Sequence, residues 1–238
     1  MVLSCPSLEP GRGVRLLEEI RPLDERVRHI NGAGLMAGDI VRAHMDFNAG
    51  GLRTWKEFVE KHPEGPDLSK PEHRMDVLKF LNRWGCRLKK GSDGEPSMTE
   101  RELMHWWAKW GTELSRYCGM KREFLDRADI DKFANAFDDL CQRRASERRS
   151  IGPTASSKVL LALFPHVIPA WDKRIAHALY GGTTKECFRL HLEKSTMWSR
   201  ALRNDGKIKE ILSKGKSSRV GMGKLIDETL YRFISRAP

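Results

Sequence analysis

Asp172 and Lys158 are the side chains best placed to do chemistry in this chain of 238 residues, because both follow a turn suited to holding an anion. The turn is Ser150-Ile151-Gly152-Pro153-Thr154-Ala155. Gly152 permits an open backbone, Pro153 suits a first helical turn, and Ala155 starts a helix-favouring run. The first amides of the helix that follows lack intrahelical partners and carry the positive end of the dipole, so they form a cradle for phosphate. Twelve residues after Leu160, beyond Pro169-Ala170-Trp171, Asp172 opens a second helix at Lys173. A carboxylate there could stabilise developing positive charge or take a proton from water. It could equally cap the helix beginning at Lys173, whose dipole would keep it ionised. Lys158 lies one helical turn beyond Thr154 on the same side. A desolvated lysine there could form a Schiff base, or its stem could pack while its ammonium meets phosphate or solvent.

Arg143, Arg144, Arg148 and Arg149 flank the turn, and arginines in such a place contact backbone phosphates without reading sequence. The expected phosphate-binding set is Arg148, Arg149, Ser150, Gly152, Thr154 and Lys173. The whole chain is strongly basic, with a formal charge of +11 and a pI near 9.6. Acidic residues are plentiful, so the excess must be arranged as a positive surface, for which nucleic acid is the natural partner.

The run from Ser150 to Ala176 resembles the signature of the helix-hairpin-helix DNA glycosylase superfamily: a glycine-containing hairpin, an apolar helix, and an acidic residue at the mouth of the next helix. It covers about one ninth of the chain. Gly152 matches the last glycine of the hairpin, Val159-Leu160 the apolar helix, and Asp172 the acidic residue. The usual Leu-Pro-Gly-x-Gly opening is here Arg148-Arg149-Ser150-Ile151-Gly152, with serine for the first glycine. Thr154 stands where bifunctional members carry their Schiff-base lysine. The resemblance implies an all-α, two-lobed fold and an enzyme that flips a damaged or modified base out of double-stranded DNA and hydrolyses its N-glycosidic bond. Such an enzyme serves in DNA repair or in defence against modified phage DNA. With threonine in place of lysine it is expected to be monofunctional, with Lys158 the one candidate for a displaced nucleophile.

N-glycosidic cleavage builds positive charge on the deoxyribose as the base departs, so a fixed anion beside the sugar is what the catalyst needs, and Asp172 supplies it. Trp84, Arg87 and Trp171 are the candidates for lining a pocket around a flipped base, where stacking and edge hydrogen bonds decide identity.

No apolar run approaches the roughly 20 residues of a membrane helix, and the N-terminus has no signal-peptide pattern, so a soluble, intracellular and cytoplasmic monomer is expected. Cys5, Cys86, Cys118, Cys141 and Cys187 are scattered without a C-x-x-C pair. Neither disulfides, a zinc site nor an iron–sulfur cluster is indicated, no cofactor is called for, and the cysteines read as small buried apolar groups.

Helical periodicity dominates. Apolar residues mark helices at 14–20, 52–62, 75–88, 99–118 and 129–140, then from Asp172 to Tyr180, through Phe188, Leu192 and Met197, and from 223 to 234. Thr99-Glu100-Arg101-Glu102 reads as a capping box. Asn31-Gly32-Ala33-Gly34, Asn48-Ala49-Gly50-Gly51 and Gly181-Gly182 read as turns, and 89–96 as a polar loop. One of Trp106 and Trp107 must leave the core face of its helix, where it could pack or stack on a base. Lys207, Lys209, Lys214, Lys216 and Arg219 form a second basic segment expected in a loop, and no strand is long enough for a sheet. The expected lobes are about 1–71 with 166–238, and about 72–165 with the hairpin near 148–155. The competing reading is a non-catalytic DNA- or RNA-binding protein that keeps the hairpin without the chemistry.

Overall fold

The computed structural model describes residues 30, 35–50, 53–63, 65–89, 91, 95–214 and 221–235; the expected helix at 14–20 and turn at 31–34 lie outside them. Among the described residues the fold is all-α apart from one small hairpin. The helices are α1 (Ala37–Gly50), α2 (Arg53–Lys61), α3 (Pro71–Arg83), α4 (Met98–Ser115), α5 (Arg127–Gln142), α6 (Pro153–Leu163), α7 (Lys173–Tyr180), α8 (Lys185–Leu202), α9 (Gly206–Lys214) and α10 (Met222–Leu230). Strands β1 (Arg144–Ser146) and β2 (Arg149–Ser150) pair antiparallel, Arg144 opposite Ser150 and Ser146 opposite Arg149, so a ladder exists where none was expected.

α6 is the hub. Val159, Leu160, Leu161 and Ala162 are inaccessible, so the helix is apolar nearly all round and packs on α5 and on α3. Each fully buried leucine contributes about 1.5–3 kcal/mol relative to exposure. Pro153 occupies its first turn, and the chain leaves helical geometry at Phe164, immediately before Pro165. α8 lies along α5, and α10 packs on α1. The buried apolar side chains form a single cluster running through all of these helices.

Two close approaches hold the connector between α6 and α7. A Cβ on Gly223 would meet the Ile168 carbonyl oxygen at 2.7 Å, so the start of α10 sits on the connector backbone, and the Lys224 amide donates to the Pro165 carbonyl at 3.3 Å. From the other side the Ser157 hydroxyl of α6 donates to the Trp171 carbonyl at 3.0 Å. The segment carrying Asp172 is thereby tied to both α6 and α10.

Several local expectations are corrected. The capping box of α4 uses Ser97 and Glu100, because the Thr99 hydroxyl donates instead to the Ala145 carbonyl of the hairpin. α1 continues through Asn48–Gly50, where a turn was expected. Lys207 and Lys209 belong to a helix, α9, whose first amides are capped by Asp205; Lys216 and Arg219 lie outside the described residues. Trp107 is the tryptophan that leaves the core face of α4, and it packs, donating its indole N–H to Asp67 Oδ1 at 3.1 Å. Cys118 is exposed, and Cys86, Cys141 and Cys187 are half-buried free thiols, where buried groups were expected.

Candidate functional site

The hairpin closes through two backbone bonds, the Ile151 amide to the Arg143 carbonyl at 2.7 Å and the Gly152 amide to the Cys141 carbonyl at 3.2 Å. Gly152 then turns the chain into α6 with φ 77° and ψ 166°. Only glycine adopts that region without strain. Because the Gly152 amide is used inside the hairpin, the outward-facing cradle is smaller than expected and begins after Pro153, where no side chain caps the first turn of α6. Thr154, in that first turn, is half-buried, and its carbonyl lies 3.1 Å from Ser157 Oγ.

The arginines divide. Arg148 is exposed at the hairpin turn and borders, with Lys89 and Arg101, an open depression of about 610 Å³ between the hairpin and the start of α4. Ser150 is exposed on β2. Arg149 is also exposed, yet its guanidinium donates to the carbonyls of Cys86 at 3.1 Å and Arg87 at 3.2 Å. Lys158 Nζ donates to the Trp84 carbonyl of the same loop at 2.8 Å. Two cations from the hairpin and α6 thus hold the loop after α3. Arg87 in that loop has φ 52°, an uncommon conformation for a non-glycine residue. Its backbone is pinned by reciprocal bonds between Asn82 and Leu88 of 2.6 and 2.8 Å.

Asp172 is the N-cap of α7, with Oδ1 accepting from the Ile175 amide at 2.9 Å. It is half-buried, and Lys173 beside it is exposed. Trp171 is corrected from pocket wall to core: it is about 1% exposed and packs on Phe137, Tyr180, Phe188 and His191. The cause is local. The chain is extended at Asp172, and consecutive side chains on extended backbone point to opposite sides.

Trp84 is half-buried but is not a free stacking platform. Its ring is 4.4 Å from Phe80 and has two ammonium groups over it, Lys158 Nζ at 5.7 Å and Lys224 Nζ at 5.0 Å. Lys224 belongs to a group that the sequence reading missed. Lys224, Asp227 and Glu228 lie at one-turn spacing on α10, with Lys224 and Glu228 inaccessible. Lys224 Nζ is 2.9 Å from Asp227 Oδ2 and 3.4 Å from Glu228 Oε1, and His44 Nδ1 of α1 lies 2.8 Å from Glu228 Oε2. Burial alone would depress the proton affinity of Lys224, but the two carboxylates outweigh it and raise it. Burial, with Glu228, pushes the Asp227 carboxyl above its ordinary range against the pull of Lys224 and Lys158. The available signal was three charges, Lys224, Asp227 and Glu228, spaced i, i+3 and i+4 among the apolar residues Met222, Leu225, Ile226 and Leu230.

Among the described residues no three His, Cys, Asp or Glu side chains are placed to hold a metal ion, and no helix is long and apolar enough to cross a membrane. Comparison with family models, curated proteins and solved structures finds no match for the chain.

Proposed function

We propose that this protein is a monofunctional DNA N-glycosylase that extrudes a damaged or modified base and hydrolyses its N-glycosidic bond, acting in repair or against modified phage DNA. In this reading α5, the β1–β2 hairpin and α6 form the helix-hairpin-helix of a two-lobed glycosylase-like fold. The exposed Arg148, the uncapped first turn of α6 and Lys173 hold the phosphates of double-stranded DNA. Asp172 faces the sugar, stabilises its developing charge and orients the attacking water. The supporting observation is the strap from Ser157 to the Trp171 backbone, which fixes the Asp172 segment to the helix that leaves the glycine-turned hairpin. That linkage is what a phosphate grip and a catalytic carboxylate need to act on one nucleotide.

The test is incubation of the full chain with duplexes and phage genomes carrying different modified bases, scoring abasic sites. Formation of abasic sites in at least one substrate, lost in Asp172→Asn, is expected. Binding without abasic sites, at equal affinity for wild type and Asp172→Asn, overturns the enzyme in favour of a non-catalytic DNA- or RNA-binding protein.

A further inference from the structure

The ionic group on α10 has no part in the reading above, yet it adjoins the same helix. Lys158 of α6 is an electrostatic neighbour of Asp227, and both Lys158 and Lys224 lie over Trp84. Asp227 is held at one oxygen only. Oδ2 accepts from Lys224 Nζ, and the side chain keeps a narrow opening to solvent, 12% exposed, while Lys224 and Glu228 behind it have none. Lys158 is half-buried and uses one N–H on the Trp84 carbonyl, leaving two of an ammonium's three donors. Asp172 approaches the same turn of α6, because Ser157, beside Lys158, carries the strap to Trp171. A carboxylate oxygen of α10 with no partner among the described residues and an ammonium of α6 with donors to spare are therefore electrostatic neighbours, beside the turn of α6 whose Ser157 ties down the Trp171 backbone next to Asp172.

We propose that Asp227 and Lys158 form an acceptor–donor pair that reads the Watson–Crick edge of the extruded base, an inference that rests on the glycosylase reading. Asp227 Oδ1 accepts from an N–H of the base, and Lys158 donates to the neighbouring ring nitrogen or carbonyl. The substrate class is then a base that keeps a donor beside an acceptor on that edge: a deaminated or oxidised base, or a pyrimidine substituted at its far side. Bases whose edge is blocked, such as etheno or edge-alkylated adducts, are rejected, because they leave a buried carboxylate without a partner. Lys224 sets the orientation of the pair. Its buried ammonium needs an acceptor, so in Asp227→Asn the amide oxygen turns to Lys224 and the amide NH₂ is left facing the N–H of the base, donor against donor.

The experiment compares wild type, Asp227→Asn and Lys158→Met as full chains on two sets of duplexes. One carries uracil, hypoxanthine, oxidised guanine or hydroxymethylcytosine; the other carries ethenoadenine or ethenocytosine. The expected result is release from the first set only, reduced in kcat/KM by about a hundredfold in Asp227→Asn. Affinity for a duplex holding a base-free sugar analogue should be unchanged, since no base edge is present there. Lys158→Met should also lower release from the first set and leave the base-free duplex bound as before. If Asp227→Asn does not fold, Lys158→Met decides alone. Release of an etheno base by wild type, or release of first-set bases at the wild-type rate by a folded variant, overturns this inference and leaves the glycosylase reading standing. A variant that loses base-free affinity as much as release also overturns it, because that is the mark of a structural group. No release of any base by wild type removes the glycosylase reading and this one with it.

Discussion

Asp172 does two jobs in the proposed enzyme, and two substitutions separate them. As an N-cap it accepts from the Ile175 amide at 2.9 Å, and asparagine caps a helix about as well as aspartate. Asp172→Asn should therefore leave stability nearly unchanged, whereas Asp172→Ala removes the acceptor and costs about 1 kcal/mol. In a domain of this size that is roughly 2–4 °C in Tm. The charge is a separate matter. Neither variant presents an anion to a sugar developing positive charge, and losing one such preorganised group lowers kcat by about 10²–10³ or more. DNA affinity should stay within a few-fold, since no phosphate contact is removed. Urea denaturation reads the cap, abasic-site formation reads the charge, and a binding titration reads the grip. Near-normal base release by Asp172→Asn would refute the catalytic assignment outright. Equal stability of the two variants would refute the cap energy.

Arg148→Ala should weaken binding to all DNA sequences and lower the logarithmic salt slope by about one, while Arg149→Ala should also loosen the 84–88 loop that it fastens; an unchanged slope means that Arg148 faces only solvent. A Cβ at Gly152 would meet no neighbouring atom, but Gly152→Val demands a backbone conformation costing about 1–3 kcal/mol, so binding and stability should fall together, and a stable variant with full affinity would contradict the hairpin geometry. Burial drives the His191 proton affinity down to about 3, below the roughly 6.5 of an unfolded chain, so the unfolded state binds a proton that the folded state refuses. Stability is then lost as pH falls from about 6.5, at about 1.4 kcal/mol per pH unit, and His191→Gln should flatten the difference measured between pH 6.5 and 5. With water as the nucleophile, borohydride should trap no protein–DNA adduct. An adduct that disappears in Lys158→Gln would convert the enzyme to a bifunctional one.

What the chain disclosed by reading alone followed its punctuation. Pro153 and Pro165 bracket α6, Asp172 caps α7, and the helical spacing of apolar residues located α2 and α5 within a few residues and ran α8 through Phe188, Leu192 and Met197. The start of α4 was misplaced because two overlapping frames, Ser97-x-x-Glu100 and Thr99-x-x-Glu102, both satisfy the capping pattern. Only the tertiary bond from Thr99 to Ala145 decides between them. Trp171 shows the same limit at the site. Adjacency to Asp172 suggested a shared pocket, but an extended connector sends neighbours to opposite faces, and periodicity arguments do not reach a segment of five residues without regular structure. Arg149 was legible as a cation beside a phosphate grip, not as a fastener of the loop after α3, since its acceptors are carbonyls more than sixty positions away.

The α10 group was hidden for a different reason. Charges at i, i+3 and i+4 ordinarily mark the solvated face of a helix, and here they mark the most buried one. Taking an ammonium and two carboxylates out of water costs several kcal/mol per ion, and their mutual attraction rarely exceeds what well-packed apolar side chains of similar volume would contribute. Stability is therefore a poor account of Lys224, Asp227 and Glu228. An inaccessible cation that fixes one oxygen of a partly exposed carboxylate, with Glu228 and His44 behind it and the other oxygen without a partner among the described residues, instead has the form of a preorganised acceptor. That form is useful only if a donor arrives from outside the protein. The proposed base-edge reading would supply one, and Lys158, an electrostatic neighbour of Asp227 on the helix that follows the hairpin, would then join recognition of the base to the proposed grip on its backbone.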